Sequence, residues 1–240
     1  MGMRGSSIAA NWSMPDPIRI AVIDSGVHPD HPHIDAARLL SGFAVARDGT
    51  VTADDTLDRL GHGTAVTAAI MEQAPAALCL PIRVFHDGLR ASARALVRAI
   101  DLAVEARVDM INLSLGTVNP AHAPAFAAAV ARAREAGVMI VAAHDVDGQP
   151  CYPGSLDGVL GVALDWDCPR ETYVVQDGIV HASGHPRPIP GVEQRRNLYG
   201  VSFAVANVSG IVARDRLDDQ AMPNPATRST IQKQPIAPTA

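Results

Sequence analysis

Three clusters of small residues in this chain each carry one group needed for nucleophilic catalysis. Asp24-Ser25-Gly26 closes an apolar run and offers a carboxylate, Gly61-His62-Gly63-Thr64 an imidazole, and Gly200-Val201-Ser202-Phe203-Ala204 a hydroxyl. A serine hydroxyl is a weak nucleophile until a base takes its proton. That base works best when an anion fixes its tautomer and stabilises the cation it becomes. The separations of 38 and 140 residues have no chemical meaning, because the fold alone must gather the groups. Taken singly, Ser202 reads as a helix N-cap, His62 as a helix-start histidine and Asp24 as a turn residue. Together they read as a triad: Asp24 orients, His62 is general base and then general acid, and Ser202 attacks.

Each group needs an element to hold it. Ile18 to Ile23 is a β-branched apolar run that stops at Asp24-Ser25-Gly26, which predicts a buried strand ending in a turn. Further strands are predicted over 78–85, 108–115, 138–143 and 159–164. Helices are predicted from His62 to about Gln73, over 92–106, over 123–135 before Gly137, and from Ser202 to about Asp215. Strand and helix alternate, so the expected fold is α/β, a three-layer α/β/α sandwich on a mainly parallel sheet. Sites in such sheets lie beyond the carboxyl ends of strands, where both Asp24 and Ala142-Ala143-His144-Asp145 fall. Residues 168–199 read as a loop-rich excursion with a hairpin at Gln176-Asp177-Gly178. The expected division is a flexible arm over 1–17, one domain over 18–219 and a disordered tail over 220–240.

Composition narrows the function. Apolar residues make up 48% of the chain but aromatic ones only 4%, which favours close packing of helices on a sheet over an aromatic-rich binding face. The net charge is −5 and no basic run exceeds Arg195-Arg196, which excludes a nucleic-acid footprint. No stretch has the length of a membrane span or the form of a secretion signal. Cys79, Cys151 and Cys168 are odd in number and lack metal-ligand spacing, so free thiols in a reducing compartment, the cytoplasm, are expected. His28, His31 and His33 lie among prolines and read as a solvated loop, and so does the acidic stretch Asp48 to Asp58. No metal and no cofactor is expected.

These residues resemble the subtilisin-like serine peptidases, the subtilases, over about 18–215. Asp24-Ser25-Gly26 matches that family's Asp-Ser/Thr-Gly, and Asp58 through Val66 follows its Asp-x-x-Gly-His-Gly-Thr pattern. Asn112-Leu113-Ser114-Leu115-Gly116 is similar to its substrate-binding strand, and Gly200 to Gly210 to its nucleophile helix. The resemblance implies a subtilisin-like sandwich and peptide hydrolysis through an acyl-enzyme. It also implies a substrate wall at Ser114, Leu115 and Gly116 and a second at Ala142 and Ala143.

The oxyanion hole departs from the family pattern. Asp145 stands where the family has an asparagine that donates to the tetrahedral oxygen, beside the backbone N–H of Ser202. An ionised carboxylate donates nothing, whereas a neutral acid can. Three arrangements stay open: a protonated Asp145, donation by His144, or a slow enzyme. The first predicts activity that improves as pH falls.

The leading expectation is limited processing, the removal of a leader from a protein or peptide precursor, with a peptide-modifying enzyme as possible partner. Small intracellular subtilases, such as the one in quinohaemoprotein amine dehydrogenase maturation, are similar in size. The alternatives are a pseudoprotease that binds peptides in the same cleft, and an esterase or ligase using the same acyl-enzyme.

Overall fold

The computed structural model describes residues 16–221, so the expected arm and tail lie almost wholly outside the described residues. The chain forms β1 (Arg19–Asp24), β2 (Phe43–Val45), β3 (Val51–Ala53), α1 (His62–Gln73), β4 (Leu78–Arg83), α2 (Ala93–Glu105) and β5 (Met110–Leu113). It continues as α3 (Ala123–Glu135), β6 (Met139–Ala143), β7 (Asp145–Val146), β8 (Gln149–Pro150), β9 (Leu160–Leu164), β10 (Tyr173–Gln176), β11 (Ile179–Ala182) and α4 (Val201–Ala221). A nine-stranded sheet runs in the order β10-β11-β9-β6-β5-β1-β4-β2-β3, and β7-β8 is a separate two-stranded hairpin. Pairing is parallel from β2 across to β11; only the outermost strands, β3 and β10, pair antiparallel. The expected α/β/α sandwich on a mainly parallel sheet is what forms.

β1 is central because its run Ile20 to Ile23 is apolar on both faces, and a strand covered on both sides has no polar face to show water. Its neighbours are β4 and β5, which follow each other in the chain but lie on opposite sides of it. Connections therefore diverge at β1, and a crevice opens beyond its carboxyl end, where Asp24 sits.

Two apolar clusters lie on the two faces. One gathers α1 and α4, with Val66, Ile70, Phe203 and Val208 at 0–1% exposure; the other gathers α2 and α3, with Ile100 and Phe126. α2 is one-sided and starts at Ser92, whose hydroxyl accepts the Ala95 N–H at 3.0 Å. α1 is buried nearly all round, because the sheet covers one side and α4 the other. The two helices approach closely at Gly210, where a Cβ would fall 2.5 Å from the Gln73 Cβ and 2.9 Å from the Ile70 carbonyl oxygen. α1 begins with His62 and α4 with Val201-Ser202, so this contact helps set the distance between imidazole and hydroxyl.

The structure adds β2 and the β7–β8 hairpin to the expected elements and departs from them in two further places. The segment 48–58 is not wholly a solvated loop, since Val51–Ala53 pairs with Phe43–Val45 and Asp58 is buried. α4 runs to Ala221, past the expected end near Asp215.

Candidate active site

Asp24 ends β1 fully buried, and its Oδ1 lies 2.8 Å from His62 Nδ1. An ionised carboxylate can only accept, so Nδ1 carries the proton and Nε2 is left as the basic nitrogen. The same Oδ1 accepts the Ser25 N–H at 2.7 Å, while Oδ2 is buried without a partner.

The turn that presents His62 is organised by Asp58. Its Oδ1 accepts from the Ser25 hydroxyl and the N–H groups of Leu60 and Gly61, and its Oδ2 from the Thr64 N–H and hydroxyl, five bonds at 2.6–2.9 Å. Ser25 Oγ in turn accepts the Gly63 N–H at 2.8 Å, which ties the end of β1 to the start of α1. Gly63 must be glycine, since a Cβ there would fall 2.2 Å from the Gly26 carbonyl oxygen. Asp58 is in the recognised motif, but most of its partners are backbone N–H groups, which a sequence does not display.

These contacts set the charge states. Burial raises the Asp58 carboxyl, but its Thr64, Leu60 and Ser25 hydrogen bonds outweigh that and hold it below the usual carboxylate range. Burial lowers His62, yet the Asp24 hydrogen bond and charge, with a further contribution from Asp58, raise it above the ordinary histidine value.

Ser202 is the second residue of α4, half-buried, and the ring of the next residue, Phe203, lies 5.7 Å from the imidazole centroid. The Ser202 hydroxyl donates to the Ser114 carbonyl oxygen at 3.3 Å rather than to His62, and the Ser114 hydroxyl donates to the Ser202 carbonyl at 3.3 Å. Behind this pair, Ser209 donates to Asn112 at 3.1 Å and Asn112 to Ser114 at 2.9 Å, a buried polar chain from the middle of α4 to the end of β5. Within the first turn of α4 the Ser202 N–H has no intrahelical acceptor, so it is available to an anion.

The second wall is differently built. Ala142 and Ala143 end β6 buried, and Gly154 packs directly on the Ala143 carbonyl. Leu115 and Gly116 are half-buried beside the bridge from Thr117 to Tyr152. His144 uses its backbone at both ends, its N–H to Val162 and its carbonyl to the Cys151 N–H. Asp145 is half-buried, and its Oδ1 accepts the Gly148 N–H at 3.2 Å within the β7–β8 hairpin. That is an acceptor's role, opposite to the donor role an oxyanion hole needs. A protonated imidazole is no base, so with His62 raised any gain from protonating Asp145 in acid is opposed by loss of the base.

The three cysteines are unpaired and buried, and burial pushes the Cys79 thiol up to about 12 and, with the Asp145 charge, Cys151 to about 11. They are structural fillers at neutral pH. Among the described residues no group of His, Cys, Asp and Glu is arranged to hold a metal, and no helix is long and apolar enough to cross a membrane.

Residues 16–163 match the sequence profile of the subtilase family. The minor extracellular protease Epr of Bacillus subtilis is 30% identical over 158 residues, which is 61% of this chain and 23% of that protein. The intracellular serine protease of Paenibacillus polymyxa is 28% identical over 217 residues, 82% of this chain and 65% of that one. The chain thus spans less than two thirds of the length of both. Among solved structures, the nisin leader peptidase NisP from Lactococcus lactis aligns with a TM-score of 0.67 at 20% identity, covering 88% of this chain and 80% of that one. At that identity the likeness is one of fold.

Proposed function

We propose that this chain, which belongs to the subtilase family of serine peptidases, hydrolyses peptide bonds through an acyl-enzyme on Ser202. The observation that carries the reading is the buried Asp24–His62 pair at 2.8 Å, at the carboxyl end of the central strand and next to the first turn of α4. In this reading the Ser202 hydroxyl leaves the Ser114 carbonyl and turns toward Nε2. Catalytic hydrogen bonds of this kind are commonly loose until substrate arrives. Nε2 takes the hydroxyl proton as Oγ bonds to the scissile carbonyl carbon, and the Ser202 N–H faces the oxyanion. His62 then gives the proton to the departing amine, and water repeats the sequence on the ester.

The preferred substrate is a protein or peptide precursor that loses a leader. Support comes from the similarity in fold to a nisin leader peptidase and from an oxyanion site without an obvious side-chain donor, which suits a slow, selective enzyme. An enzyme that modifies the same precursor is the expected partner. Three buried, unpaired thiols and an intracellular relative fit action in the cytoplasm. A peptide-binding module would have no use for a buried carboxylate held against an imidazole, since burying that charge is expensive.

The test is labelling with a fluorophosphonate probe, followed by mass spectrometry of candidate precursors incubated with the protein. Labelling that disappears in Ser202→Ala, with one discrete cut in a precursor, is the expected result. Absence of labelling in the unmodified protein would end the hydrolase reading.

A further inference from the structure

Two cavities lie on opposite faces of the sheet. One, of about 820 Å³, lies against α2 and reaches Gly116 and Thr117, next to the strand proposed to hold the acyl half of the substrate. The other, of about 410 Å³, starts at Gly61 and Thr64, on either side of His62, and its far wall is the segment 186–198 that leads into α4. A peptide that enters along Ser114 to Gly116 and passes between imidazole and hydroxyl therefore brings its departing half to the second cavity.

The lining of that cavity is cationic. Arg59 stands exposed on its rim and makes no ion pair among the described residues. Arg187 donates to the His33 carbonyl at 3.1 Å, with its Nε 3.7 Å from Glu72, a carboxylate that Arg170 also binds. His28, His31 and His33 also line it, with His31 Nδ1 accepting the His33 N–H at 3.2 Å. Asp58 is the acid in the lining, and its oxygens are occupied by the five bonds that build the His62 turn. An arginine without a carboxylate partner, beside imidazoles and with no free acid in the lining, matches one chemistry: a carboxylate brought by the ligand.

We propose that this cavity receives a carboxylate from the substrate segment that follows the scissile bond, either an aspartate or glutamate side chain or a chain terminus. The proposal rests on the hydrolase reading and adds a substrate class to it. Arg59 is the specificity residue, since its charge is the one left uncompensated, and Arg187 with the histidines shapes the seat.

The experiment digests a diverse synthetic peptide library, half of it amidated at the C-terminus, and reads the new N-termini by mass spectrometry. Acidic residues are expected to be enriched about fivefold at the first three positions after the cut, the scale of a partly exposed charge pair. Arg59→Glu should replace that preference with one for lysine and arginine. If the cavity takes a terminus instead, cuts fall within three residues of free C-termini and vanish from amidated peptides. Cutting with no acidic or terminal preference, or a preference unchanged in Arg59→Glu, overturns the assignment while leaving the hydrolase reading intact. No cutting and no fluorophosphonate labelling overturns both.

Discussion

The two sides of the cleft are built to different standards. On the Asp24–His62 side, Asp58 and Ser25 fill their hydrogen-bonding capacity on a turn of four residues, and glycine lets that turn press on the end of β1. On the Ser202–Asp145 side, the hydroxyl rests on a carbonyl, and the acid that stands where the family has a donor is bonded into its own hairpin. On the proposed function the base is preorganised before substrate arrives, whereas the anion site has the Ser202 N–H and no side-chain donor in place. Preorganised dipoles contribute most where charge develops, so the asymmetry predicts that forming the oxyanion is the slow step.

The largest effect is expected from breaking the preorganised side at its anion. Asp24→Asn should leave the fold intact but remove the charge that stabilises the imidazolium, and an amide, which can donate to Nδ1 as well as accept from it, no longer fixes the tautomer that makes Nε2 the base. Turnover should fall about 10⁴-fold, the scale found when the corresponding partner is neutralised in other triad enzymes. Steady-state kinetics on a cleaved precursor checks it; a loss of less than tenfold would mean that the pair does not act as base and orienter.

Next comes the anchor of the turn. Asp58→Asn keeps Oδ1 for Ser25, Leu60 and Gly61 but sets an amide NH₂ against the N–H and hydroxyl of Thr64. The Thr64 N–H then faces another donor and the hydroxyl must reverse its role to accept, which should destabilise the protein by about 1–3 kcal/mol and, by loosening His62, reduce kcat roughly tenfold. A lowered urea midpoint with an unchanged slope would confirm the first part. The pH response follows from the same carboxyl. Its folded pKa lies below the ordinary 3.8, so its stabilisation is present above that value and lost as pH falls through the folded pKa. Stability of the unmodified protein should therefore drop in strong acid by an increment that the variant lacks.

A smaller change should appear in the pH–rate profile. The base must be neutral, and Asp24 with Asp58 holds His62 above 6.5, so kcat/KM should rise with pH to a midpoint above that value. Asp58→Asn should move the midpoint down. A rate that rises toward acid would favour a protonated Asp145 as donor and contradict the asymmetry.

How much of this was legible varies by element. The five central strands and the first three helices follow from apolar runs and helical spacing, since burial on both faces or on one leaves a pattern in residue type. β2 and β3, three residues each, leave no pattern and exist through pairing with β4 and with each other. The proposed triad residues are legible because the chemistry dictates their types. The supporting shell is less so: Asp58 acts largely through backbone N–H groups, and Gly210 matters only because α1 lies against it. Two Asp-Gly turns make the point. Asp177-Gly178 was expected as a hairpin and is one, whereas Asp147-Gly148, with φ of 52° and 75°, carries the same signal but lay hidden beside the family's oxyanion motif.

That second turn governs the smallest prediction. If the Asp145 carboxylate faced the forming oxyanion, removing its charge and adding a donor would raise turnover by one or two orders of magnitude, the scale of a side-chain oxyanion donor. Its Oδ1 instead accepts the Gly148 N–H, and an asparagine carbonyl can accept that bond equally well. Asp145→Asn should therefore keep the hairpin and change kcat by less than about threefold, because the amide inherits the orientation of the acid it replaces. Asp145→Ala separates geometry from charge: it frees the hairpin turn and should lower thermal stability slightly while leaving kcat near that of Asp145→Asn. A rise of tenfold or more in Asp145→Asn alone would show that the side chain swings from the turn to the reacting carbonyl during catalysis. The two sides of the cleft would then differ in timing, not in construction.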